Sequence, residues 1–88
     1  MPPFHYSFKM KDFDSTRTFY GEILGCEEGR SNDTWIDFDF FGHQVTAHLS
    51  DNYPPLDYCG LVDGVSVPIP HFGVLLSLED YEKVRIAL

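Results

Sequence analysis

Three short segments of this chain alternate apolar and polar residues, and each carries one histidine on its polar side. In "PFHYSFKM" (3–10), Phe4, Tyr6, Phe8 and Met10 oppose His5, Ser7 and Lys9. In "QVTAHLS" (44–50), Val45, Ala47 and Leu49 oppose Gln44, Thr46, His48 and Ser50. In "IPHFGVLL" (69–76), His71 opposes Phe72 and Val74. A period of two belongs to a half-buried strand. It commits each segment to a sheet with one dry face and one wet face.

What lies between these segments sets the order of elements. "STRTFYGEILG" places Thr16, Phe19, Tyr20, Ile23 and Leu24 on one helical face, with Asp14 or Ser15 as N-cap and Gly25 at the left-handed C-terminal position. Phe19 and Tyr20 are assigned to the core. Gly21 interrupts the helix and is expected to admit a close neighbouring strand. "CEEGRS" is a short strand. "TWIDFDF" (34–40) alternates again, with Ile36, Phe38 and Phe40 opposite Trp35, Asp37 and Asp39. "FGHQ" turns the chain, Gly42 supplying positive φ, and His43 is expected to be solvated there. Residues 1–50 thus form a βαβββ module of the α+β class. Residues 51–67, with Pro-Pro and two glycines, are expected to be a connecting loop or a lid. Residues 68–88 add a strand and a helix, "SLEDYEKVRIAL", with Ser77 and Asp80 at capping-box spacing. Leu78, Tyr81, Val84, Arg85 and Leu88 share one side of it.

The two ends of the chain match. "HYSFKMKDFDSTRTFYGEIL" and "HFGVLLSLEDYEKVRIAL" each run from His and an aromatic through a strand and a capping residue into a helix. The pattern reads as a repeat whose second copy stops after two elements, or as two ordinary strand–helix units.

Composition excludes several roles. A net charge of −8 does not provide the clustered Lys and Arg that nucleic acid or an anionic membrane surface requires. No run reaches the ~20 apolar residues that span a bilayer. Cys26 and Cys59 have neither disulfide-framework nor zinc-knuckle spacing, so a reducing cytoplasmic location is expected. Eight Phe, five Tyr and one Trp in 88 residues supply a single core.

"FHYSFKMKDFDSTRTFYGEILGC" resembles the opening of the glyoxalase I / bleomycin-resistance / extradiol-dioxygenase superfamily, also called vicinal oxygen chelate proteins. The likeness lies in His5, Asp12 at the turn, the Phe19-Tyr20 pair and Leu24-Gly25. "QVTAHLS" resembles the fourth strand of that module and "PHFGVLL" the first strand of a second. The resemblance implies paired βαβββ modules around a divalent metal such as zinc, nickel, iron or manganese. It implies His5, His48 and His71 as ligands, with a fourth, usually a Glu late in the second module, expected from sequence beyond Leu88 or from a partner chain. Many glyoxalase-type members carry Glu where His48 stands, which weakens a glyoxalase I reading.

Strand parity agrees: all three imidazoles project from the polar, concave face, and imidazole suits these metals. Two functions follow. One is a metal-dependent lyase, isomerase or ring-cleaving dioxygenase acting on vicinal oxygens. The other is a metal-free module binding a small, antibiotic-like molecule; a third possibility is an inactive fragment. Ser7, Trp35, Asp37 and Thr46 are candidate substrate contacts, Asp37 a candidate base, and Arg30 a candidate contact for an anionic substrate. No catalytic residue is assigned. An incomplete second module would leave apolar surface and strand edges open, so a homodimer is expected.

Overall fold

The computed structural model describes residues 3–51, 59–68 and 71–88. Its centre is a four-stranded sheet in the order β1-β4-β3-β2. The strands are β1 (His5–Met10), β2 (Glu27–Ser31), β3 (Trp35–Phe40) and β4 (His43–Leu49). β1 runs parallel to β4, while β2, β3 and β4 form an antiparallel meander. Parallel neighbours need a crossover, and the helical stretch after β1 provides it. The first module is therefore βαβββ, as the alternation predicts.

Register arranges the wet face in rows. Ser7, Thr46 and Asp37 lie side by side across β1, β4 and β3. His5, Gln44, Asp39 and Glu27 form the row on one flank, and Lys9, His48 and Trp35 the row on the other. On the dry face, Tyr6, Val45 and Phe38 form one row and Phe8, Ala47 and Ile36 the next. Ile36, Phe38, Val45 and Ala47 are essentially inaccessible to solvent. Full burial of a side chain the size of Phe38 contributes about 1.5–3 kcal/mol.

The crossover differs from the expected regular helix. Helix α1 (Phe13–Thr16) is capped by Asp12, not by Asp14 or Ser15: Ser15 N donates to Asp12 Oδ1 at 2.7 Å. The chain then widens into a π-helical segment, Arg17–Ile23, with Leu24 N donating to Phe19 O at 3.0 Å. Tyr20 packs on Phe8, Phe38 and Phe40, whereas Phe19 is 42% exposed and is not core. Among the described residues, a Cβ on Gly21 would meet nothing within 4 Å, so none of their strands approaches there. Gly25, at φ +74°, ends the segment as expected.

Two further expectations are corrected. Part of the connecting segment is a hairpin, β5 (Cys59–Val62) and β6 (Val65–Pro68). Asp63 and Gly64 both take positive φ, the geometry of a type I′ turn, which Asp-Gly favours. Residues 71–77 form no ladder among the described residues, although Phe72 and Val74 pack on the core in the predicted alternation. A strand is defined by its hydrogen-bonded neighbour, and periodicity alone supplies none. Residues 52–58, 69 and 70 lie outside the described residues, so the lid expectation is not addressed there. Helix α2 (Leu78–Ala87) is capped by Ser77, whose Oγ accepts from Asp80 N at 3.2 Å. Its Leu78, Tyr81 and Leu88 face solvent; Lys83, Val84 and Ala87 instead share a small cavity with Ile23, Leu24 and Phe41.

Candidate functional site

The wet face is not uniformly wet. Asp37 and Thr46, in its middle row, are only 6% and 5% exposed. Thr46 Oγ1 donates to Asp37 Oδ1 at 2.6 Å, the short distance of a charge-assisted bond. Burying a carboxylate is tolerable only with such a partner. An open cavity of about 230 Å³ lies over this pair, bounded by His5, Ser7, Trp35 and His48. A second of about 320 Å³ continues along the same face toward Asp39 and His43.

Each flank is held locally. Ser7 Oγ lies 3.2 Å from His5 Nε2. Asp39 Oδ1 accepts from Gly42 N at 2.8 Å and so shapes the β3–β4 turn. In that turn Phe41 and Gly42 both take positive φ. His43 is not a solvated turn residue. It opens β4, its Nδ1 accepts from Phe4 N at 2.9 Å, and its ring stacks on Phe4 at 4.2 Å. This role was hidden in the sequence because the turn occupies Phe41-Gly42, one position earlier than "FGHQ" implies.

Seven of the eight residues named from sequence border the one cavity: His5, Ser7, Arg30, Trp35, Asp37, Thr46 and His48. The eighth, His71, does not. It precedes Phe72, which packs against Tyr6, Phe8 and Phe40 of the dry face. His5 and His48 occupy the two outer rows, four residues apart in register. At ~3.3 Å per residue that is roughly 13 Å along the strands. Strand side chains stand nearly perpendicular to the sheet, so these imidazoles do not converge. Among the described residues no three His, Cys, Asp or Glu side chains gather to hold a metal ion. As placed, the three histidines do not form a coordination sphere.

Sequence reasoning underrated Gly29 and Arg30. β2 bulges between Glu28, paired with Phe38, and Ser31, paired with Ile36. The Arg30 guanidinium lies 5.8 Å from the Trp35 ring centroid, and its Nε lies 3.7 Å from Asp37 Oδ2.

A βαβββ sheet with one packed face and one open polar face invites comparison with known proteins. No family model matches the chain, and no curated protein does. A solved structure does: a glyoxalase/bleomycin resistance protein/dioxygenase from Alicyclobacillus acidocaldarius. It matches with a TM-score of 0.75 and 29% sequence identity over 97% of this chain. The chain is a vicinal oxygen chelate superfamily protein. It spans 59% of that neighbour's length. Members of this superfamily commonly use divalent metals. The described residues of this vicinal oxygen chelate protein contribute a polar wall rather than a complete metal site. No described helix is long and apolar enough to cross a membrane.

Proposed function

We propose that this vicinal oxygen chelate protein binds a small molecule against the polar face of its first module, with residues 68–88 beginning a second. The observation that carries the reading is the buried Asp37–Thr46 pair at the floor of an open cavity, with Ser7, Trp35, His5 and His48 around it. A buried, hydrogen-bonded carboxylate amid otherwise open polar residues is an arrangement suited to orienting a ligand. Packing alone would be served as well by an apolar pair. A reducing cytoplasmic setting fits the free Cys26 thiol.

A metal-dependent lyase, isomerase or ring-cleaving dioxygenase is the second reading, favoured by His5 and His48 opening on the same cavity. It requires donors beyond those the described residues gather, from further sequence or a second copy. The two readings separate on metal content, measured on untagged protein purified without chelators beside His48→Ala. The binding-module reading expects little metal in either and ligand binding indifferent to chelator. Near-stoichiometric metal in the parent, lost in His48→Ala, would replace it with the metal-dependent one.

A further inference from the structure

The bulge in β2 decides where Arg30 points. Counting back from Glu28 opposite Phe38, an unbroken ladder would place Gly29 opposite Asp37 and Arg30 opposite Ile36. Arg30 would then share the dry face with Ile36 and Phe38. The observed register puts Ser31 opposite Ile36 instead, so Gly29 and Arg30 together oppose Asp37. The extra residue turns Arg30 onto the polar face, a re-aiming that bulges commonly perform beside functional sites. Gly29 makes room for it: a Cβ there would stand 3.3 Å from Asp37 Cβ, tighter than an ordinary contact.

We infer that Arg30 is the anion-recognising residue of this face, and that the ligand is a small carboxylate with a hydroxyl or amino group beside it. The inference rests on the ligand-binding reading above and deepens it. Arg30 is oriented but not consumed. Trp35 supports its guanidinium, and Asp37 lies near its Nε, yet 3.7 Å is too long for a hydrogen bond. Its side chain is 82% exposed. The other arginines are each held by a glutamate, Arg17 by Glu28 at 2.8 Å and Arg85 by Glu82 at 2.7 Å. A planar, pre-oriented guanidinium receives a carboxylate through two parallel N–H donors. Asp37 already gives Oδ1 to Thr46, which leaves Oδ2 facing Arg30 and able to accept from a ligand hydroxyl or amine. A donor adjacent to the carboxylate spans the two, which describes a 2-hydroxy or 2-amino acid.

Trp35 is the sole tryptophan, so its fluorescence reports on this site alone. The test titrates the parent, Arg30→Gln and Arg30→Lys with mandelate, a 2-hydroxy acid, and with its neutral amide, mandelamide. The expected result is saturable binding of mandelate, with mandelamide at least about tenfold weaker, the size of one charge-assisted contact. Arg30→Gln loses about that factor for mandelate and none for mandelamide, while Arg30→Lys recovers only part. Urea midpoints should match the parent, because the side chain is exposed. Equal affinity for acid and amide, or mandelate binding unaltered in Arg30→Gln, overturns the role of Arg30 and leaves the ligand-binding reading standing. No saturable change with either probe overturns both.

Discussion

At the scale of single residues, two polar contacts carry measurable consequences. Asp37 is buried and depends on the Thr46 hydroxyl. Thr46→Val keeps the shape but leaves Asp37 Oδ1 without its donor. The expected loss is about 1–3 kcal/mol of unfolding free energy. Urea denaturation of the single variants and of Thr46→Val with Asp37→Leu checks it: the double variant should cost less than the two changes added together. Asp12 is different, being partly exposed at the start of α1. The backbone hydrogen bond from Ser15 holds its carboxyl below the ordinary value of 3.8, helped by the Ser15 side chain and Lys11. A carboxylate depressed in the folded state contributes stability that is complete above its ordinary value and is lost as pH falls through the lowered one. The parent should therefore lose more stability below pH 3.8 than Asp12→Asn, which retains a capping oxygen. Equal acid sensitivity in the two would remove this role. Cys26 moves the other way: burial, and then Asp39, push its thiol up.

At the scale of elements, turns and bulges set the register, and register decides which face a side chain serves. The β3–β4 turn needs positive φ at Phe41 and Gly42, with Gly42 at +89°. Gly42→Ala should cost about 1–2 kcal/mol because an alanine Cβ resists that region. The space around Gly42 is open, so the penalty should arise from the backbone alone, and Gly42→Asn should recover part of it. Thermal unfolding of the three proteins would show whether that order holds. These elements also mark what could be read in advance. Strands β1, β3 and β4 follow from alternation, and Ser77 and Gly25 behave as their residue types dictate. The β5–β6 hairpin is equally legible in Asp63-Gly64 between "LV" and "VSV", whereas the length and Pro-Pro of the whole segment point to a loop. The π-helical segment was not legible, because an i→i+5 turn carries no distinct periodicity over seven residues.

At the scale of the whole molecule, the tail after residue 70 is poorly covered. Leu75, Leu78, Ile86 and Leu88 are largely exposed, and Leu75 is fully so. Several large apolar side chains exposed within one short segment are a feature of association surfaces. We propose a homodimer through this tail, each copy covering the other's exposed apolar side chains. Sedimentation at micromolar concentration should show a dimer, and Leu75→Asp with Leu78→Asp should shift it to a monomer without loss of the main sheet's circular dichroism. A parent that sediments only as a monomer would dispose of the idea.

The chain's own pattern determined the βαβββ order and the two faces of the sheet, because a two-residue period is a local property that burial of one face then enforces. It also placed His5, Ser7, Trp35, Asp37, Thr46 and His48 on the side where the cavity opens. Tertiary structure alone decided their rows. Parity tells which face a residue serves but not its level along the strand, so it could not show that His5 and His48 stand four residues apart or that Phe72, next to His71, packs against the dry face. Nor could it show Arg30 turning toward Asp37, because a bulge is visible only when two strands are laid side by side.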